Sequence, residues 1–167
     1  TSEVYGSAKY VPIDEKHQLQ PQSPYSASKI AADQLALSYW NSFQTPIKII
    51  RPFNVYGPRQ SSRAVIPSII IQALNNKKEI KLGNIKPSRD FTYVTDTCLA
   101  YLDFLKMKKS FGKVLNVGTK SEHKIGNIAK TILKKIHSKA KISREKQRVR
   151  STKSEVNRLV CDNSKIL

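Results

Sequence analysis

Ser23-Pro24-Tyr25-Ser26-Ala27-Ser28-Lys29 opens the segment whose reading decides the fold. Proline near a first helical turn costs nothing, because the N–H it lacks would have no intrahelical partner there, so Pro24 starts a helix expected over Tyr25 to Phe43. Ile30, Leu35, Leu37, Tyr39 and Trp40 are read as its core-packing residues. The run Ile47-Lys48-Ile49-Ile50-Arg51, held between Pro46 and Pro52, is of strand type. The alternation continues with a helix expected over Val65 to Asn75, strands at Glu79 to Leu82 and Phe91 to Val94, and a helix from Thr95 to Lys108 capped by Thr95 or Asp96. Val114 to Val117 reads as a strand, and Ile125 to Ile136 as a helix with isoleucines at 125, 128, 132 and 136 on one face. Ser143 to Ser154, rich in Lys, Arg and Ser, reads as a flexible loop. Alternating helices and strands predict an α/β protein with a parallel sheet.

Tyr25 and Lys29 stand four residues apart and so share one helix face. Such a pair makes a usable base. An ammonium about 4 Å from a phenolate stabilises it by roughly 4 kcal/mol at an effective dielectric of about 20, and a general base works best when it titrates near the operating pH. Tyrosine and lysine at this spacing are common on helices, so the company they keep decides. Thr1-Ser2-Glu3-Val4-Tyr5-Gly6 precedes them. Arg51-Pro52-Phe53-Asn54-Val55-Tyr56-Gly57-Pro58-Arg59 follows, then Ser88-Arg89-Asp90-Phe91-Thr92-Tyr93-Val94, Leu115-Asn116-Val117-Gly118 and Arg158-Leu159-Val160-Cys161-Asp162.

In that order, the motifs resemble the extended short-chain dehydrogenase/reductase family, and within it the nucleotide-sugar 4,6-dehydratase branch. The resemblance implies the C-terminal half of a doubly wound parallel (Rossmann) sheet plus a small α/β substrate-binding domain. Residues 1–58 would belong to the NAD(P)-binding domain and residues 59–167 mainly to the domain that holds the nucleotide sugar. Thr1 would hydrogen-bond the C4 oxygen of the sugar, Tyr25 would take the C4 hydroxyl proton, and Lys29 would bind the nicotinamide ribose. Hydride would pass to NAD or NADP and return to C6 after water is lost. Glu3 stands where dehydratases place the base that takes the C5 proton, and the simple 4-epimerases need no carboxylate there. Some dehydratases carry an aspartate at the position of Ser2 to protonate the leaving hydroxyl. With Ser2 as a substrate contact instead, Glu3 is left to carry that proton.

By the same resemblance, Arg89 and Arg158 would grip the diphosphate and Asn54 would contact the substrate through its amide, with Asn116 a weaker transfer. Planar bidentate donors suit a diphosphate, which favours arginine. Arg51 and Arg59 are read as structural ion-pairing residues more than as ligand contacts, and Asp96 as a helix cap. The stretch Arg59 to Pro67 is more similar to dehydratases acting on N-acetylglucosamine nucleotides for surface glycans. Uronate decarboxylases share the Thr-Ser-Glu-Val-Tyr-Gly motif, so a UDP-glucuronate decarboxylase remains an alternative, with a 4-epimerase beside it; a non-catalytic sugar-nucleotide-binding module stays open because the chain lacks a glycine-rich cofactor turn.

Composition sets the remaining bounds. The 167 residues, 39% hydrophobic and 8% aromatic, suffice for one moderate core. The six glycines lie too far apart to form the Gly-x-Gly-x-x-Gly turn that cradles a dinucleotide pyrophosphate. The chain is therefore expected to be a fragment, with the cofactor's phosphate site and its NAD/NADP selector upstream of Thr1. The formal charge of +18 raises the question of nucleic acid. Lysine outnumbers arginine and no stacking aromatics interleave with the charge, so a solvated basic surface is expected and no nucleic-acid partner. No apolar run is long enough to span a bilayer, and no membrane partner is expected. Cys98 and Cys161 show no metal-site spacing, and His17, His123 and His137 read as surface residues, so no metal is expected. A reduced, cytoplasmic protein, homodimeric when complete, is the expectation.

Overall fold

The structure, a computed structural model, describes residues 1–75, 78–145, 147 and 155–165. A short 3-10 turn over Ser2–Tyr5 precedes α1 (Pro24–Phe43), β1 (Ile49–Pro52), β2 (Asn54–Tyr56), α2 (Val65–Leu74), β3 (Glu79–Leu82), β4 (Ser88–Arg89) and β5 (Phe91–Tyr93). There follow α3 (Val94–Lys106), β6 (Val114–Val117), β7 (His123–Lys124), α4 (Ile125–Lys135), β8 (Lys141–Arg144) and β9 (Arg158–Leu159). The chain is mixed α/β, and its strand pairs are parallel except for β4 with β7.

β1 pairs with β6, Arg51 lying opposite Asn116, so the chain returns after about 60 residues to the sheet it began. β2 pairs with β5 and β3 with β8, while β4 is flanked by β7 and β9. A last parallel bridge joins Ile13 to Cys161. It is closed by Ile13 N–H donating to Val160 O at 2.7 Å and Asp162 N–H donating to Ile13 O at 2.8 Å. These crossovers organise two apolar cores. Val4, Tyr5, Ile13, Phe53, Val156, Leu159 and Cys161 form one beneath the opening turn. In the other, α2 and α4 bury Ile69, Ala73, Ala129 and Leu133 over Ile80 and Leu82 of β3.

The isoleucines of α4 do share its covered face, Ile125 buried and Ile128, Ile132 and Ile136 half-buried, with Ala129 and Leu133 buried beside them. Several other expectations are corrected. α1 is not a core helix: Ser26 is its only buried residue, and Leu35 and Tyr39 are exposed. Its apolar side chains are spread around the helix, and only the side toward β1 and the opening turn is covered. Ile30 packs on the first core, and Trp40 meets Phe111. α3 begins at Val94 with Tyr93 as N-cap and no side-chain cap, so Asp96 lies in the first turn, where its charge suits the helix dipole. Ser143 and Arg144 belong to β8, paired with β3; residues 146 and 148–154 of the expected loop lie outside the described residues.

His17 is buried, not on the surface. Its Nδ1 donates to Gln18 O at 2.9 Å, its Nε2 accepts from Lys9 N–H at 3.0 Å, and its ring stands edge-on to Tyr5. Its polar neighbours in sequence hid the aromatic it packs against.

The buried Asp90 carboxylate joins the two regions, accepting from the amides of Thr119 (2.9 Å), Lys120 (2.9 Å) and Cys161 (3.1 Å). Gly118 makes room for it. A Cβ there would overlap Cys161 and come within 2.9 Å of Asp90 Oδ2. Gly118→Ala is expected to destabilise the chain by about 1–3 kcal/mol, several degrees in thermal midpoint. An unchanged midpoint would show that this knot has slack. Burial pushes the Cys161 thiol well above its usual range, which leaves it unreactive.

Candidate active site

The opening turn is held from below. Thr1 Oγ1 accepts the Glu3 N–H at 3.3 Å, and Gly6, at φ 60°, closes the turn through its N–H to Glu3 O at 3.3 Å. A Cβ at Gly6 would meet Gln22 and Gln20 within 2.8 Å, so glycine is required by both space and φ. Ser2, Val4 and Tyr5 are buried, whereas Thr1 and Glu3 keep partial exposure at the rim.

Beneath the turn lies a polar network. Tyr5 Oη donates to Asn116 Oδ1 at 2.7 Å and accepts from Arg51 at 3.0 Å, and Arg51 Nε meets Asp33 Oδ2 of α1 at 2.8 Å. Burial raises the Tyr5 pKa, against the pull of Arg51.

α1 starts where it does because Ser23 and Ser26 cap each other. Ser23 Oγ accepts the Ser26 N–H at 3.1 Å, and Ser26 Oγ accepts the Ser23 N–H at 2.9 Å. This cap fixes Tyr25 and Lys29 in the first two turns. Lys29 Nζ lies 5.5 Å from the centre of the Tyr25 ring, and Tyr25 is 53% exposed.

A cavity of about 420 Å³ opens between the two cores, and Glu3, Asn54 and Arg89 all line it. Gln60, Arg63, Asn84 and Glu155 complete its polar wall, with Val65, Ile66, Leu82 and Phe91 on the apolar side. Asn54 Oδ1 and Gln60 Oε1 are buried without a partner among the described residues. Unpaired buried acceptors are costly, and a ligand's hydroxyl or amide N–H would satisfy them. Gln60, Arg63, Asn84 and Glu155 were not anticipated. Gln60 and Arg63 follow closely on the Asn54 motif, the one signal the sequence carried for them.

Other candidates fall elsewhere. Thr1, Ser2, Tyr25, Lys29 and Arg158 are not among the residues lining this cavity. Arg158 lies in a separate depression with Lys86, Ser88 and Lys124, its guanidinium forked onto Glu122 by two bonds of 2.7 Å. Asn116 is wholly buried in the Tyr5 network, and its Nδ2 also donates to Ile13 O at 3.1 Å. Arg51 is 3% exposed and ion-paired with Asp33. Arg59 stands exposed at φ 66°. Among the described residues, no group of three or more His, Cys, Asp or Glu is placed to hold a metal, and no helix is long and apolar enough to cross a membrane.

Hydrogen bonds from Arg158 and then Ser88 lower the Glu122 pKa to about 2. A depressed carboxylate pKa contributes stability above the unfolded value, and that contribution disappears as pH falls through the folded one. Glu122→Gln is therefore expected to be less stable than wild type near neutrality, with the two unfolding curves converging between about pH 4.5 and pH 2. A gap that persisted at the acid end would break this account. The effect is small, because Arg158 is 52% exposed.

Comparison with known proteins places this arrangement. The sequence profile of the family described as GDP-mannose 4,6 dehydratase matches residues 1–167, and the chain belongs to that family. It is 38% identical over 136 residues to the dTDP-D-glucose 4,6-dehydratase of Homo sapiens, covering 81% of this chain and 39% of the human protein. It superposes with a TM-score of 0.88, at 32% identity, on the dTDP-glucose 4,6-dehydratase of Bacillus anthracis str. Ames in complex with NAD, covering 99% of this chain and 52% of that one. It also superposes at 0.90, with 33% identity, on the UDP-glucuronic acid 4-epimerase of Bacillus cereus in complex with UDP-glucuronic acid and NAD, with the same coverage. These relatives share the Rossmann-type α/β fold, and the chain spans about half the length of the two solved structures.

Proposed function

We propose that the protein carrying this chain is an NAD(P)-dependent nucleotide-sugar 4,6-dehydratase, with residues 1–58 serving the cofactor side and residues 59–167 mainly the sugar nucleotide. One observation carries the reading: a carboxylate, a side-chain amide and an arginine, from Glu3, Asn54 and Arg89, line one cavity. When bound, a nicotinamide dinucleotide accepts and later returns the two electrons that leave the sugar. Tyr25 and Lys29 fit its nicotinamide-ribose end, an exposed phenol and ammonium side by side on one helix face.

In this reading Thr1 orients the C4 oxygen and Tyr25 takes the C4 hydroxyl proton, with Lys29 favouring the phenolate. The C4 ketone acidifies C5–H. Glu3 removes that proton and delivers it to the C6 oxygen, which leaves as water, with Ser2 beside the substrate. Asn54 and Gln60 take hydrogen bonds from the sugar, and Arg89 binds the diphosphate. Arg158, held by Glu122 outside the cavity, is not needed for that grip. The resemblance of residues 59–67 favours an N-acetylglucosamine or related hexose nucleotide, for surface-glycan assembly in the cytoplasm, and the exposed face of α1 suits a homodimer.

The likeness to a 4-epimerase structure supports one rival, in which the ketone is only re-reduced. Incubating the full-length protein in D₂O with a panel of nucleotide sugars separates the two. Loss of one water by mass, with deuterium at C5, is the dehydratase outcome; isomerisation without either is the epimerase outcome. Arg89→Ala is expected to weaken nucleoside diphosphate binding by about 1.5–3 kcal/mol, roughly 10- to 150-fold by calorimetry. An unchanged affinity would remove Arg89 from the site.

A further inference from the structure

Tyr25, Lys29 and Asp33 stand at i, i+4 and i+8 and form one row along α1. The first two are assigned above to chemistry; the carboxylate of the third accepts from a buried guanidinium. Arg51, in β1 and 3% exposed, donates through Nε to Asp33 Oδ2 at 2.8 Å and through its terminal nitrogen to Tyr5 Oη at 3.0 Å. Its guanidinium carbon also lies 5.2 Å from the centre of the Tyr5 ring. Tyr5 is the last residue of the turn that carries Glu3 and follows Thr1. Asn116, opposite Arg51 in the β1–β6 register, accepts the Tyr5 proton at 2.7 Å. A single side chain thus touches α1 and the opening turn from the strand between them.

This matters because, beyond the Ser23–Ser26 cap, Ile30 and Trp40, no broad apolar face sets the rotation of α1. Ser26 is its only buried side chain, and its apolar residues do not form one stripe that would choose a face. Apolar packing is non-directional, whereas a forked guanidinium fixes direction as well as distance. A helix carries its side-chain tips well outside a backbone radius of about 2.3 Å, so a rotation of about 15° moves a phenol oxygen by roughly 2 Å. A misplacement of about 1 Å can cost roughly 100-fold in rate.

We infer that Arg51, bridging Asp33 and Tyr5, is a positioning device that locks the rotation of α1 against the Ser2–Tyr5 turn, and with it the placement of Tyr25 and Lys29. Arg51 and Asp33 touch no substrate; they act through the residues they orient. The inference rests on the dehydratase reading for its catalytic consequence but not for its structural one, and the test separates them.

In the full-length protein, Asp33→Asn and Arg51→Met are compared with wild type by steady-state kinetics on active-site-titrated enzyme and by hydrogen–deuterium exchange. Exchange should rise over Pro24–Phe43 while the β1 and β6 amides stay protected, with kcat lower by about 10- to 100-fold and the KM for nucleotide sugar within about threefold. Asp33→Glu, which restores a carboxylate, should recover much of the kcat. Raised α1 exchange in a protein whose wild type shows no dehydratase activity would uphold the lock and reject the assigned function. Unchanged α1 exchange, or a fall in activity matched by the unfolded fraction at full kcat per active site, would overturn the inference.

Discussion

Glu3→Gln in the complete protein is expected to lower turnover by about 10² to 10⁴, about 3–5 kcal/mol of barrier, while the first oxidation survives. Glutamine keeps the shape of the side chain and removes its basicity, so C4 is still oxidised but the C5 proton has nowhere to go. Reduced nicotinamide should therefore build up in place of product, and deuterium from D₂O should fail to enter C5. Glu3 is the carboxylate of the opening turn and reaches the same cavity wall as Asn54 and Arg89. Glu155 lines the cavity as well, and its Oε2 accepts from Asn84 at 3.4 Å. Glu155→Gln serves as the contrast, expected to retain elimination. Normal turnover by Glu3→Gln would reject the dehydratase reading in favour of epimerase or decarboxylase chemistry.

Tyr25→Phe should fail earlier. The ring and its packing remain, but the hydroxyl proposed to remove the C4 hydroxyl proton is gone, and a drop of similar size is expected before any oxidation occurs. No reduced nicotinamide should appear, even in the Glu3→Gln background. The two variants thus stop on opposite sides of the ketone, a contrast that no general loss of stability would mimic. Tyr25 is half exposed and makes no contact in either apolar core, so its loss of hydroxyl should leave the thermal midpoint nearly unchanged. Accumulation of reduced cofactor by Tyr25→Phe would assign that proton to another group.

The long elements were legible because hydrophobic spacing and proline placement announce them. α1 begins at the predicted proline, α2 and β3 fall within a residue of expectation, and β6 matches Val114–Val117. β4, β7 and β9 have two residues each, too few for any periodicity to register. β8 was hidden by its lysine, serine and arginine; its partner β3 supplies the ladder that composition did not suggest. Within the site, Glu3, Asn54 and Arg89 were reachable because each sits in a recognisable motif. Arg158 sits in one too, yet its position depended on Glu122, a glutamate 36 residues away in sequence with no motif to flag it. His17 and Asn116 show the same limit, since burial of a polar side chain is decided by distant partners and local sequence does not report it.

The bridge from Ile13 to Cys161 joins segments about 150 residues apart, and this has a bearing on biosynthesis. A ribosome delivers residues in order, so the opening turn emerges long before the strand at Val114–Val117 that holds Tyr5 through Asn116, and before the Cys161 amide that completes the Asp90 knot. The Ser2–Tyr5 turn is therefore made before the partners that secure it. A nascent chain stalled before Asp162 would leave Val4, Tyr5 and Ile13 without the partners that cover them, exposed to chaperones and proteases.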